Sequence, residues 1–183
     1  MKKLRSPMRR SLSSLASLAA VVLGGYYLLE VDDIAAALAL VPHIPATSAP
    51  NGGTEVRVAS AVETFRAEGE ARPNLWLATT HGPEPDDAAG ERAGAHRRFV
   101  EDHRDHLIRT VTLTPGTEAT TVRGCPGEEA VLPGPFPGAA TVAGTIYLIE
   151  GDAQAAGEIA ADVPVGPGQV IELRPLLHLG PSA

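Results

Sequence analysis

Hydrophobic and polar positions divide the chain into an uncharged start, a short breaker-rich stretch and a mixed body. Residues 12–29, LSSLASLAAVVLGGYYLL, carry no charge. Eighteen helical residues span about 27 Å, close to a hydrocarbon core of about 30 Å. Serine hydroxyls in such a helix bond back to its own backbone. Tyr26 and Tyr27 stand near the far end, where amphipathic rings favour an interface. In VDDIAAALALV, residues 31–41, Ile34, Leu38 and Val41 recur at spacings of four and three, which predicts that the helix continues. Pro42 and Pro45 stop it, and residues 42–53 read as a linker of proline, glycine and small polar residues.

From Thr54 the period changes. TEVRVAS alternates Val56 and Val58 with polar residues and predicts a strand. Residues 61–70 predict a short helix with Val62 and Phe65 inward. LWLATT, 75–80, predicts a strand. Residues 87–107 predict the main amphipathic helix, with Ala88, Ala95, Phe99, Val100 and Leu107 along one stripe. LIRTVTLT and TEATTVRG predict further strands. TVAGTIYLIE, 141–150, is the strongest strand signal, followed by GEIAADVPV, 157–165, and GQVIELRPLLHL, 168–179. Three late strands with short turns suggest a meander or small barrel. The expected fold class is therefore α+β, mostly β. An N-terminal transmembrane or signal helix (11–41) precedes a β-rich domain (54–183) with one main amphipathic helix.

Charge gives the uncharged start a direction. Lys2, Lys3, Arg5, Arg9 and Arg10 form a basic stub at 1–10, and Glu30, Asp32 and Asp33 follow the apolar run. That asymmetry predicts a single-pass signal-anchor at the cell membrane, with the N-terminus inside and the domain periplasmic or extracellular. Secretion after cleavage of a signal peptide is the alternative. The rest of the chain has ten arginines against all 22 carboxylates, a poor surface for phosphates, so nucleic acid is excluded as a partner. The expected partners are the membrane, through residues 12–29, and another envelope protein. Aromatics are only 4% of the chain, so alanine, valine and leucine must fill the core.

Candidate chemistry is sparse. Cys125 is the single cysteine, so no internal disulfide and no CxxC zinc or redox motif exists. There is no GxSxG, no P-loop and no GxGxxG. EDHRDH, 101–106, places His103 and His106 three apart on a helix, where one divalent metal would bridge them if a third ligand came from elsewhere, for example His81, His178 or Asp86. The alternative for this stretch is a solvated helix end whose Glu101, Asp102, Arg104 and Asp105 pair locally. GTIYLIEGD followed by VGPGQVIELRPLLH resembles the later part of a cupin barrel, a likeness over about 40 residues. It implies that His178 matches the last metal-ligand histidine, while the upstream HxH pair is replaced by PGPFPGAA. Two functions follow. One is an anchored envelope protein with a binding or assembly role and no cofactor. The other is a metal-dependent or degenerate cupin-like protein that binds or transforms a small molecule.

Overall fold

The structure, a computed structural model, describes residues 25–49, 52–66, 74–83, 89–137 and 141–176. Three helices and eight strands form among them. The helices are α1 (Ile34–Leu40), α2 (Ala89–His103) and α3 (Ala153–Asp162). The strands are β1 (Thr54–Val56), β2 (Ala59–Thr64), β3 (Leu75–Gly82), β4 (Leu107–Leu113), β5 (Thr120–Arg123), β6 (Ala130–Pro133), β7 (Val142–Glu150) and β8 (Val170–Pro175).

Five strands make the main sheet, in the order β2-β4-β7-β3-β8, with every neighbouring pair antiparallel. In chain order its centre reads β3-α2-β4, then β7-α3-β8. The strands joined by each helix are parallel and separated by one strand of the other unit, which is the split βαβ, ferredoxin-like topology. Both helices lie on one face. Phe99 and Val100 of α2, Ala156 and Ile159 of α3 and Val163 just after it pack on Ala78, Leu107, Tyr147 and Ile149. In α3 the buried positions recur at the three- and four-residue steps of an amphipathic helix, and Asp152 caps it by accepting from Ala155 N–H at 2.8 Å. Gly82 is required where β3 meets the turn into β8, because a Cβ there would stand 2.6 Å from the Gln169 side chain.

A smaller antiparallel sheet, β1-β5-β6, is built from the segment before β2 and the hairpin between β4 and β7. Arg57 ties the two sheets together. Its side chain is only 4% exposed and lies 2.9 Å from Glu55 Oε1. It also donates to the carbonyls of Thr114, at 2.8 Å, and Ala143. Ahead of β1, two 3₁₀ turns (Val41–His43 and Pro45–Thr47) bury Val41 and Thr47. Thr47 Oγ1 donates to the Val41 carbonyl at 2.9 Å, and the Thr47 carbonyl accepts from Gly124 N–H.

Several expectations are corrected here. The continuous helix expected over 11–41 is not formed: residues 25–31 have no regular secondary structure, and α1 is only seven residues long. Asp32 and Asp33 lie outside that helix, and Asp33 starts it as its cap, accepting from Ala36 N–H at 2.8 Å. Residues 12–24, the rest of the expected span, lie outside the described residues. No helix among the described residues is long and apolar enough to cross a membrane. The single-pass anchor, the membrane and envelope partners, and the orientation with the domain outside the cytoplasm therefore have no structural support. Neither does secretion by signal-peptide cleavage. The fold is also less β-dominated and less barrel-like than expected. Residues 157–165 fall largely within α3, since a run of alanines favours helix over strand. Residues 61–64, expected as helix, belong to β2, because Val62 pairs with Val111 on the neighbouring strand. The cupin-like barrel is replaced by an open sheet in which β3 separates β7 from β8.

Candidate functional site on the sheet face opposite α2 and α3

Period-two alternation sends Leu77 and Thr79 of β3 to the face opposite α2 and α3, together with their register partners Leu148 and Ile146 on β7. On the other side of β3, Thr79 pairs with Glu172 and Leu77 with Arg174. This face thus has two parts. Leu77, Val111 and Ile146 form a buried apolar floor against which Tyr26, Ala59 and Leu113 pack. Beside it lies a polar group from β3 and β8: Thr79, His81, Glu172 and Arg174.

Glu172 organises that group. Its Oε1 accepts from Arg174 Nε at 2.6 Å, and its Oε2 stands 3.2 Å from His81 Nε2. The His81 contact has the distance of an ion pair but lacks the alignment of a hydrogen bond. His81 Nε2 and Thr79 Oγ1 are consequently buried polar atoms without a hydrogen-bond partner among the described residues. Thr114 Oγ1 is a third such atom, away from this group. An unpaired buried hydroxyl or imidazole nitrogen costs about 1–3 kcal/mol, and only here do two such atoms share one strand beside a carboxylate–guanidinium pair among the described residues. Chemically, a carboxylate beside an imidazole fixes the orientation of the ring.

The other histidines do not join it. His103, at the end of α2, lies on the helix side of the sheet, with its Nε2 3.2 Å from Asp162 Oδ2 and its ring 4.9 Å from that of Phe99. It borders a shallow groove of about 410 Å³ between α2 and the end of α3, lined also by Arg98, Asp102 and Pro164. His106 sits in the turn after α2 and places Nδ1 3.1 Å from the Glu150 carbonyl. His103 and His106 therefore take different partners, and His81 is across the sheet from His103. His178 and Asp86 lie outside the described residues. Among the described residues no group of three or more His, Cys, Asp or Glu would hold a metal ion, so the metal-binding cupin alternative has no support there. Cys125 is exposed in the turn before β6.

A second polar chain runs on the helix side. His96 of α2 is 3.1 Å from the Tyr147 hydroxyl and 3.2 Å from Glu63 Oε2, which also accepts from Thr110 Oγ1 at 3.1 Å. Burial pushes the Tyr147 phenol well above its ordinary range, with nearby Glu63 adding to the rise and a bond to Thr145 opposing it. This chain fastens α2 to the sheet.

Of the polar residues on the face opposite α2 and α3, only His81 was legible as a candidate from sequence. Thr79, Glu172 and Arg174 carry no motif. They become neighbours through the β3–β8 register, between segments more than ninety residues apart. No protein-family model matches the chain, and no curated protein matches it either.

Proposed function

We propose that the face of the main sheet opposite α2 and α3 is a small-molecule site at which His81, positioned by Glu172, exchanges a proton with the bound ligand. The observation that carries this is the pair of buried atoms without a hydrogen bond among the described residues, Thr79 Oγ1 and His81 Nε2, at the margin of an apolar floor. Ligand sites commonly combine such a floor with a few convergent polar groups. Thr79 supplies a hydroxyl that donates or accepts, His81 an imidazole nitrogen, and Arg174 a guanidinium bonded to the Glu172 carboxylate.

A fragment screen by ligand-observed NMR, run on the wild type and on His81→Ala and Glu172→Gln, tests the site. Fragments that bind the wild type and lose at least most of their signal in both variants support it. A set of fragments that bind all three proteins equally rules it out.

A further inference from the structure

We infer that a recess on the small sheet binds an aliphatic α-amino acid as a zwitterion, its carboxylate on Arg123 and its ammonium group on Glu128. The recess shares no residue with the site proposed above, and the two readings stand or fall separately. It lies between the chain just after the second 3₁₀ turn and the β5–β6 hairpin, and Ala49, Gly52, Arg123, Glu128, Ala130 and Leu132 are among the residues that line it. Its volume of about 400 Å³ falls within the range of about 300–1,000 Å³ of small-molecule sites. The walls are fastened by the protein's own bonds. The Thr47 carbonyl accepts from Gly124 N–H at 3.0 Å, and Glu128 N–H donates to the Cys125 carbonyl at 2.9 Å in the turn before β6. Arg123 is set by two contacts: its Nε donates to the Gly52 carbonyl at 3.0 Å, and its guanidinium carbon lies 5.4 Å from the centre of the Phe136 ring. Gly53 permits this packing, because a Cβ there would stand 2.8 Å from both Arg123 Cγ and Phe136 Cε2.

A guanidinium carries five N–H donors in a planar fork. The contacts above use Nε, and Nη1 and Nη2 have no hydrogen-bond or ion-pair partner among the described residues. Two such nitrogens match the two oxygens of one carboxylate. The Glu128 carboxylate likewise has no partner among the described residues, whereas that of Glu129 accepts from Gly127 N–H at 2.8 Å. A cation and an anion that line one recess without pairing with each other call for a ligand that carries both charges. Glu128 also repels a phosphate more strongly than a singly charged carboxylate. Ala49, Ala130 and Leu132 offer apolar surface to the rest of the ligand, which suits an aliphatic side chain.

The test titrates L-leucine into the full chain labelled at alanine and leucine methyl groups, with Ala49, Ala130 and Leu132 as reporters. Saturable shifts at these signals are expected. Two analogues on the wild type separate the charges: 4-methylpentanoate lacks the ammonium group, and 3-methylbutylamine lacks the carboxylate. Each is expected to bind about tenfold more weakly than leucine or worse. Glu128→Gln alters an exposed side chain without a bond, so it is expected to fold normally, to weaken leucine about tenfold and to leave 4-methylpentanoate unchanged. Arg123→Lys keeps the charge and loses the fork, and is expected to weaken both ligands about tenfold. Should Arg123→Lys disturb the fold, the analogues and Glu128→Gln decide the matter. The inference is overturned if leucine gives no saturable shift at the three reporters, if either analogue binds as tightly as leucine, if leucine ignores Glu128→Gln, or if inorganic phosphate binds there more tightly than leucine.

Discussion

Thr79 and Thr80 are adjacent in β3, both buried, and point to opposite faces, so the same substitution is expected to change stability in opposite directions. Thr79 Oγ1 has no hydrogen-bond partner among the described residues. Thr79→Val keeps the branched shape and removes a hydroxyl whose unpaired burial costs about 1–3 kcal/mol. Relaxation and residual hydration reduce the gain, so the expected stabilisation is about 1 kcal/mol. Thr80 Oγ1 accepts from Thr145 N–H at 2.7 Å and donates to the Thr145 carbonyl at 3.4 Å. These bonds brace the irregular register where Gly144 passes β3, a place so tight that a Cβ on Gly144 would stand 2.7 Å from that hydroxyl. Thr80→Val therefore leaves the part-buried Thr145 N–H without this bond and is expected to destabilise by about 1–3 kcal/mol. In a chain of this size each kcal/mol moves Tm by about 2–4 °C, so the two variants separate by several degrees. Urea unfolding followed by circular dichroism, with m unchanged across the set, gives both numbers. Thr79→Val is also expected to weaken ligand binding while it strengthens the fold, the mark of a polar group kept for function. Destabilisation by Thr79→Val comparable to that of Thr80→Val would show that the Thr79 hydroxyl is structurally bonded, and the main reason for placing a site there would be gone.

Three further outcomes test the frame around the site. Arg57→Ala removes a cation buried between the sheets and leaves Glu55 and two carbonyls without it; a loss of about 3–5 kcal/mol in chemical unfolding is expected, and a loss below about 1 kcal/mol would contradict the tie. Asp152→Ala removes the cap of α3 and is expected to cost about 1 kcal/mol by the same measurement, with Asp152→Asn recovering most of it. Burial raises the Tyr147 pKa in the folded state. The unfolded chain therefore loses this proton first, and the stability contributed is complete below an unfolded pKa of about 10 and declines as pH rises beyond it. Unfolding measured between pH 9 and 11.5 should show a shallower alkaline decline in Tyr147→Phe than in the wild type, and identical slopes would refute the assignment.

Local pattern carried the strands well and the helices unevenly. Alternation or β-branched content marked β1, β3, β4, β5, β7 and β8 near their observed places, and the apolar stripe marked α2. α3 was misread because Ile159, Val163 and Val165 resemble a strand. Yet Asp152 before an alanine-rich run was a helix start, and Ala156, Ile159, Ala160 and Val163 follow helical spacing. β2 was misread for the converse reason: ASAVET is weakly patterned alone and becomes a strand by pairing with β4. The uncharged run at 12–29 invited a membrane helix through hydropathy, but its described end at Tyr26 packs on a protein surface instead. The site was the least legible part. A histidine stood out in the sequence, but its carboxylate and guanidinium come from another strand, and only the sheet order brings them together.

The most direct test of the site is chemical-shift mapping of the first ligand found, on ¹⁵N- and methyl-labelled wild-type protein. The account predicts perturbations centred on Leu77, Thr79, His81, Ile146 and Glu172. Perturbations centred instead on the α2–α3 side, around Phe99, His103 and Asp162, with the opposite face unmoved, would contradict it.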